Sequence, residues 1–155
     1  MKTKVNVSYI AGFFDADGSF DKVKGDIIIT NKVKYVLEEI QKTLTKLNIE
    51  SVIRKQDGVT PSGKPTFIYR LYIRKMLSVK RYIEKVDCII PYKKEGMLNY
   101  YNKNIRFFRR AKTMKELHSL GNSYREIGKI LNVPFTYVGK VLTGKIKRYR
   151  HFLDV

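Results

Sequence analysis

The sequence predicts an α+β fold in two parts: a core in the order αββαββα with an antiparallel sheet, and an all-helical C-terminal module. Apolar residues recur at helical spacing in some segments and alternate with polar residues in others, which predicts the core. A change in charge density marks the second part. Residues 1–100 hold 19 basic and 11 acidic residues, whereas residues 101–155 hold 13 and 3. We therefore expect two domains, residues 1–108 and residues 109–155.

The first half of the core is predicted to be a helix, a hairpin and a second helix. Residues 8–16 form a short apolar segment whose first residue, Ser8, is a favourable N-cap. Residues 19–31 predict two short strands joined by a Lys-Gly turn. Residues 33–47 carry apolar side chains at helical spacing with charged side chains on the other face, which predicts a helix.

The second half of the core repeats this pattern in the order strand, strand, helix. Residues 51–58 and 66–75 predict two strands that are joined by a loop rich in glycine and proline. Alternation in the second strand places its cationic side chains on one face of the sheet. Residues 76–86 predict a helix, and a further helix is expected over residues 93–105, after a break at Pro91.

The composition excludes several classes of protein. With 43% hydrophobic residues the chain can build a core, and no apolar run approaches the ~20 residues that a membrane span needs. One cysteine, Cys88, excludes an intramolecular disulfide framework and a thiolate zinc site, and two histidines argue against a histidine-based metal cage. The net charge of +18 favours nucleic acid as the partner, with a solvated lysine surface as the alternative. The N-terminal residues lack a signal-peptide pattern, so we expect an intracellular protein.

Two carboxylates, Asp15 and Asp17, stand at the predicted C-terminal end of the first helix. The helix dipole places partial negative charge at that end, so two acids there destabilise the helix unless a cation binds. A hard divalent ion such as Mg²⁺ prefers carboxylate and carbonyl oxygens. Inside the same helix, Ala11 and Gly12 are small enough to let a second helix approach closely. An acidic helix end followed by a glycine stop is the simpler interpretation.

The segment IAGFFDADG, residues 10–18, resembles the motif of the LAGLIDADG homing endonucleases. The resemblance covers roughly residues 7–105 and implies cleavage of double-stranded DNA with Mg²⁺, for which Mn²⁺ is the substitute. It implies that Asp17 is the metal-binding carboxylate and that the carbonyl of Ala16 joins the coordination. For Asp15 it implies either a direct metal contact or a role in holding the helix end.

Three further residues take catalytic roles from the same resemblance. Asn31, at the end of the second strand, stands where the family places a polar residue that orders water around the metals. Lys93 and Lys94 follow Pro91 where the family places a basic residue near the scissile phosphate, and the sequence does not choose between them. A solvated surface position is the alternative for all three.

The chain has a single copy of the motif, so it resembles the homodimeric branch of the family. Packing of two motif helices implies a dimer interface at Ala11, Gly12 and Phe13. A two-fold dimer reads a long, pseudo-palindromic site. The strand residues expected on the DNA are Asp21, Val23, Ile28, Thr30, Arg70, Tyr72 and Arg74.

Residues 123–142 have the pattern of a helix-turn-helix, with five apolar residues at its buried positions and Gly128 where the two helices approach. The pattern resembles modules of resolvases and accessory modules found beside homing endonucleases; an ordinary helical hairpin that closes the core is the alternative. Asn132 stands in the turn, where asparagine tolerates a left-handed backbone. The residues expected on DNA are Ser123, Arg125, Phe135, Thr136, Tyr137 and Lys140, together with Lys145, Lys147 and Arg148 of the basic tail.

The most consistent function is therefore a metal-dependent, site-specific DNA endonuclease that acts as a homodimer and is encoded within an intron or intein. An RNA maturase that binds its own intron, and a transcriptional repressor that has lost cleavage, are the alternatives. The expected location is at DNA, in the cytoplasm of a prokaryote or in an organelle. No membrane partner is expected.

Overall fold

The computed structural model describes residues 5–146. An α+β fold with the core order αββαββα is confirmed. Four strands and six helices lie within the described residues. They are α1 (Val7–Asp17), β1 (Gly18–Asp21), β2 (Asp26–Asn31), α2 (Lys34–Lys46), β3 (Val52–Val59), β4 (Pro65–Ile73), α3 (Met76–Lys85), α4 (Pro91–Ser119), α5 (Tyr124–Leu131) and α6 (Phe135–Leu142).

The four strands form one antiparallel sheet in the order β1-β2-β4-β3. Because side chains alternate between the two faces of a strand, each strand of the sheet has a core face and a free face. Ile27 and Ile29 of β2 pair with Ile73 and Leu71 of β4, and all four side chains are buried. The residues between them, such as Ile28, are only half-buried and lie on the opposite face.

The core forms where the first three helices cover one face of this sheet. Each helix contributes a buried stripe at helical spacing: Ile10 and Phe14 from α1, Leu37 from α2, and Tyr82 from α3. The Phe14 and Tyr82 rings meet edge to face, with their centroids 5.6 Å apart. Full burial of one such side chain contributes roughly 1.5–3 kcal/mol to stability. The helices therefore cover this face of the sheet, and the opposite face stays free.

The start of α1 differs from the prediction. Asn6, and not Ser8, is the N-cap, and its side-chain oxygen accepts a 2.8 Å hydrogen bond from the backbone N–H of Tyr9. Both residue types cap helices well, so the sequence alone does not distinguish them. The helix therefore begins two residues earlier than a cap at Ser8 would place it, at Val7, and ends at Asp17.

The helix after Pro91 also differs, since it continues to Ser119 without a break. The sequence predicts a helix that ends near residue 105, whereas in the structure the same helix also contains Met114. Pro91 occupies the first turn of α4, where its missing N–H is not needed. Ala111 and Met114 are buried along the later turns of α4. Their burial stabilises the helix beyond residue 105, where the sequence becomes polar.

The chain divides into two compact units, Met1–Tyr101 and Asn102–Val155, so the division falls within α4. None of the helices between residues 5 and 146 combines the length and the apolar character that crossing a bilayer requires.

Candidate active site and nucleic-acid interface

The end of α1 is fixed by a close approach of the backbone to an aromatic ring. Gly18 follows α1, and a Cβ atom on it would lie 2.1 Å from a ring carbon of Phe14. Its N–H also donates to the Phe14 carbonyl oxygen and so closes the last turn. Only glycine fits at this position, and the chain passes directly from Asp17 into β1.

The Asp15 carboxylate is held by the loop that precedes α4. One of its oxygens accepts hydrogen bonds from the Cys88 thiol at 2.8 Å and the Ile90 N–H at 3.3 Å, and the other accepts one from the Ile89 N–H at 2.9 Å. Burial alone raises the pKa of Asp15, but these hydrogen bonds and the nearby Lys93 charge outweigh it and lower the pKa overall. Of the two predicted roles for Asp15, the structure supports the one in which it holds the helix end.

Lys93 is buried, and its ammonium group binds the carboxyl end of α1. The Nζ atom donates to the carbonyl oxygens of Phe14 and Asp15 at 2.8 Å and of Gly18 at 2.7 Å. A cation at this position offsets the negative end of the helix dipole. Lys93 was one of two candidates for a residue beside the scissile phosphate. The structure does not support that prediction, because all three donors of the amine are directed at backbone carbonyls.

The Asp17 carboxylate, in contrast, is exposed and has no hydrogen-bond or ion-pair partner among residues 5–146. Its backbone is held in place, since the Thr30 hydroxyl donates to the Asp17 carbonyl oxygen at 3.1 Å. Ala16, the residue before Asp17, is also exposed. Lys93, Gly18 and Thr30 donate to the carbonyls of neighbouring residues and not to that of Ala16. An unpaired carboxylate on a held backbone, beside a carbonyl, offers the oxygen donors that a hard divalent ion prefers.

The described residues contain no group of three or more histidine, cysteine, aspartate or glutamate side chains that could hold a metal ion. Among residues 5–146, the end of α1 presents one unpaired carboxylate, that of Asp17.

Lys94 and Asn31 remain candidates beside this site. Lys94 is partly exposed, and its amine lies 2.5 Å from the Asp87 carboxylate, an ion pair that raises the pKa of Lys94. The side-chain oxygen of Asn31 accepts a 2.7 Å hydrogen bond from the Val33 N–H, which leaves its amide nitrogen as the available donor. Both are at the surface, where a ligand could reach them.

An open groove lies beside the end of α1, and two of its lining residues had not been singled out from the sequence. Lys22 and Tyr92 are both exposed and line this groove together with Ala16, Ser19 and other residues. Lys22 lies in the β1–β2 turn and Tyr92 near the start of α4, 70 positions apart in the chain. No local pattern could have placed them together.

One face of α1 is exposed and made of small residues. Ser8, Gly12 and Ala16 are exposed and recur every four residues, so they line up along the helix. No atom lies within 4 Å of the position that a Cβ of Gly12 would take. The prediction that Ala11 is part of a dimer interface is wrong, because Ala11 is 4% exposed and belongs to the core. Phe13, also predicted, is half-buried beside this face and packs on Tyr9, with the ring centroids 5.9 Å apart.

The free face of the sheet carries the side chains expected there. Ile28 pairs with Tyr72, and Thr30 with Arg70, so these four residues of β2 and β4 share one face. On the other side of β4, Arg70 lies directly opposite Arg54. The Nε of Arg70 is buried and has no hydrogen-bond partner among residues 5–146. Like charges opposite each other destabilise a sheet, so this pair favours an anion on the free face.

Two of the predicted hairpin residues have other roles. The Asp21 carboxylate accepts hydrogen bonds from the N–H groups of Val23 and Lys24, at 2.9 and 3.0 Å, and so holds the β1–β2 turn. These hydrogen bonds lower the pKa of Asp21, with that of Lys24 the larger. A carboxylate would also repel phosphate, so the predicted DNA contact by Asp21 is not supported. Val23 lies in the turn and not on a strand, and it is 88% exposed.

Arg74, the last of the predicted strand-face residues, lies just beyond the end of β4. Its Nε is 3.3 Å from a carboxylate oxygen of Asp26, which is buried at the start of β2. Its guanidinium carbon lies 4.3 Å from the centre of the Tyr72 ring. This contact orients the Tyr72 ring and places a cation beside it on the free face.

In the second unit, α5 and α6 form a two-helix arrangement around a tight turn. Ser123 and Glu126 form a capping box at the start of α5. Asn132 ends α5 with a left-handed backbone, φ 50°. A Cβ on the buried Gly128 would lie 2.8 Å from the Val133 carbonyl oxygen, so the turn requires glycine there. Of the five apolar positions expected to be buried, three are fully buried and two half-buried; they are Ile127, Val138 and Val141, then Leu131 and Val133.

The outer surface of this arrangement is polar and basic, with one exposed ring. Phe135, Thr136 and Lys140 of α6 are exposed, as expected, whereas Tyr137 is half-buried. The guanidinium carbon of Arg125 lies 5.5 Å from the Phe135 ring centre. Among the predicted contacts of the tail, Lys145 is exposed, and Lys147 and Arg148 lie outside the described residues.

Comparison with known proteins adds two findings. A family model described as a LAGLIDADG-like domain matches residues 4–87, just over half of the chain. Elongation factor 2 of Methanopyrus kandleri is 30% identical to the chain over 74 residues, which are 48% of this chain. The matched region is 5% of that elongation factor, so the chain spans only a small part of that relative's length.

Proposed function

The chain belongs to the LAGLIDADG-like family, and we propose that it is a metal-dependent endonuclease that cleaves double-stranded DNA at a specific site as a homodimer. The observation that carries this proposal is the difference between the two motif carboxylates. Asp15 is occupied by hydrogen bonds to the chain itself, whereas Asp17 is exposed and has no partner among residues 5–146. The chain has a net charge of +18, yet the Asp17 carboxylate, on a held backbone, has no cationic partner among residues 5–146. It is therefore available to bind a metal cation.

In this mechanism, Asp17 and the carbonyl of Ala16 hold Mg²⁺, and Mn²⁺ can replace it. The ion supplies charge neutralisation on the phosphate oxygens and a more acidic water for hydrolysis. Asp15 and Lys93 hold the end of α1 from two sides, so that the Asp17 carboxylate is positioned before substrate arrives. The Lys94 amine contacts the scissile phosphate after exchanging its partner Asp87, and the Asn31 amide nitrogen orients water.

A homodimer brings two such carboxylates together. The exposed face of Ser8, Gly12 and Ala16 has no side chain larger than a hydroxymethyl group, so the backbones of two α1 helices can approach closely. Ala16 is on this face and is the neighbour of Asp17 in the chain. Pairing of two copies along this face would therefore place the two carboxylates near the pair axis, and both strands of a duplex could be cut.

The free face of the sheet and the second unit bind the DNA. Arg54, Arg70, Tyr72 and Thr30 form a continuous polar surface on the sheet, and the opposed arginines favour phosphate between them. In the second unit, α5 and α6 act as a helix-turn-helix in which Phe135, Thr136 and Lys140 face the major groove.

The test is cleavage of a randomised double-stranded DNA library in the presence of Mg²⁺. We expect cuts at one pseudo-palindromic sequence with the wild-type protein and none with Asp17→Asn. The matched control is Glu84→Gln, which removes a carboxylate on α3 that pairs only with Lys80 at the surface. Specific binding of duplex without cutting would contradict the nuclease and favour a repressor. Selective binding of structured RNA without cutting of duplex would favour a maturase.

A further inference from the structure

The part of α4 that lies in the second unit has a strongly basic surface to which the sequence analysis gave no role. Lys103, Arg106, Arg109 and Arg110 are all exposed. On a helix of 3.6 residues per turn they fall within about 120° around the axis and extend along roughly 10 Å of it. We call these four residues the α4 basic stripe.

Within the described part of the chain, no carboxylate pairs with the α4 basic stripe. None of its four side chains forms an ion pair within residues 5–146. The guanidinium carbon of Arg106 lies 4.8 Å from the Phe107 ring centre. Lysines on α2 and α3 differ, since Lys34, Lys42 and Lys80 each pair with a glutamate three or four positions away. Unpaired cations are therefore a property of this segment and not of every helix surface in the protein.

The spacing within the stripe makes the cations repel one another. Arg106 has Lys103 and Arg109 three positions away and Arg110 four positions away, which are neighbouring positions on a helix. Like charges at these spacings destabilise a helix, and bound anions remove the repulsion. Three of the four side chains are arginine, whose planar group matches phosphate oxygens with two parallel hydrogen bonds.

We propose that the α4 basic stripe binds the phosphate backbone of duplex DNA without reading its sequence. The inference rests on the proposed function, because it takes the DNA as the ligand. A duplex carries about six phosphate charges over 10 Å of its axis, so one duplex can neutralise the whole stripe. The stripe then adds salt-dependent affinity to the contacts made by the sheet and by α6, whose residues differ from those of the stripe.

The salt dependence of binding tests this proposal. The variant Arg106→Gln/Arg110→Gln removes two cations and keeps good helix formers in place. The control Lys42→Gln/Lys80→Gln removes the same charge from two lysines that already have carboxylate partners. Affinity for a fluorescent duplex of arbitrary sequence is measured by anisotropy in EDTA at several salt concentrations. Circular dichroism and thermal melting show that each variant is folded.

We expect the slope of log affinity against log salt to become shallower by about 1.8 in the stripe variant, since each phosphate contact contributes about 0.9. Between 50 and 200 mM salt the wild-type protein would then lose about 12-fold more affinity than the variant. The control should keep the wild-type slope. An unchanged slope in the stripe variant, or an equal change in the control, overturns this inference alone. A wild-type protein that binds no duplex at any salt concentration overturns the proposed function as well.

Discussion

The Nζ of Lys93 lies 2.7 Å from the carbonyl oxygen of Gly18. This contact joins α4 to the residue that follows the motif helix, although the two residues are 75 positions apart. The same amine also binds the last turn of α1 at Phe14 and Asp15. A buried cation in the first part of the chain's longest helix therefore fixes the end at which the Asp17 carboxylate is presented.

Replacement of Lys93 with methionine should destabilise the first unit by about 2–3 kcal/mol, because it removes the three hydrogen bonds from the buried amine to carbonyl oxygens at the end of α1. Lys94→Met is the matched control, since it removes the neighbouring lysine and only a surface ion pair. That control should change stability by less than about 0.5 kcal/mol. Urea unfolding of both variants measures the difference. Equal stabilities would mean that the bonds to the carbonyls contribute nothing to folding.

Substitution of the two motif aspartates should have different effects: loss of Asp15 should lower stability, and loss of Asp17 should abolish cleavage. Asp15→Asn replaces a carboxylate that accepts bonds from Cys88, Ile89 and Ile90, so we expect a loss of about 1–3 kcal/mol in the free energy of unfolding. Asp17→Asn should leave the melting temperature nearly unchanged and abolish cleavage while duplex binding persists. Melting curves, cleavage and anisotropy on the same two proteins give the comparison. The reverse pattern would exchange the roles that we assign to these residues.

Much of the fold follows from the sequence because local pattern and long-range packing agree there. The alternation in β4 predicted that Arg70 lies on the face opposite Leu71 and Ile73, and the burial of Leu71 and Ile73 confirms it. The ends of elements were less predictable. Asn6 and Ser8 are both residue types that cap helices well, so the sequence did not show which of them is the N-cap. The continuation of α4 depends on the burial of Ala111 and Met114, which no local pattern shows.

The candidate site was predictable in its residues but not in their division of roles. The motif identified Asp15, Asp17 and the pair Lys93 and Lys94. Which member of each pair is held by hydrogen bonds depends on contacts with Cys88 and with the carbonyls of α1, more than 70 positions away in sequence. The motif also placed Ala11 at an interface, whereas the turn of the helix directs Ser8, Gly12 and Ala16 outward.

The thiol of Cys88 should be unreactive in the native protein. Burial and the bond to Asp15 raise its pKa to about 11, and the side chain is 4% exposed. Since its folded pKa exceeds the usual value of 9.0, the stabilisation it contributes is complete below pH 9 and is lost as the pH rises toward 11. Cys88→Ser keeps a donor to Asp15 but does not ionise in this range.

The pH dependence of unfolding therefore gives the test for Cys88. Wild-type stability should fall more steeply than that of Cys88→Ser between pH 9 and 11. Labelling by a maleimide at pH 7 should require unfolding. Rapid labelling of the folded protein, or parallel stability curves for the two proteins, would show that the thiol is neither buried nor bonded as described.

If two copies pair along the exposed face of α1, self-association should depend on the size of the side chain at position 12. A Cβ on Gly12 meets no atom of its own chain, so Gly12→Ala should stabilise the isolated protomer by about 0.5–1 kcal/mol through helix propensity. Gly12→Leu should be folded but should weaken self-association at least about tenfold, because its side chain separates the two helices. Sedimentation equilibrium of the three proteins measures this. A leucine variant that associates like the wild type would place the dimer interface elsewhere.

The second unit predicts a loss of affinity without a loss of stability. Thr136 and Lys140 are exposed one turn apart on α6, whereas Ile127 and Val138 are the buried residues of this unit's two short helices. If α6 lies in the major groove, Thr136→Ala/Lys140→Ala should reduce affinity for the selected DNA site by roughly 10–100-fold, since each good base contact contributes about 1–3 kcal/mol. The melting temperature should not change.

A control variant within the same unit distinguishes affinity lost through base contacts from affinity lost through removal of a positive charge. Lys112→Ala removes a cation from α4 that already lies 3.8 Å from the Glu116 carboxylate, so it should lower affinity for the selected site only slightly. Competition between the selected site and unrelated duplex then measures specificity. The α6 variant should lose affinity for the selected site more than for unrelated duplex, whereas Lys112→Ala should change both equally. An equal loss on both duplexes in the α6 variant would mean that these side chains contact only the backbone, and α6 would not be the element that reads the sequence.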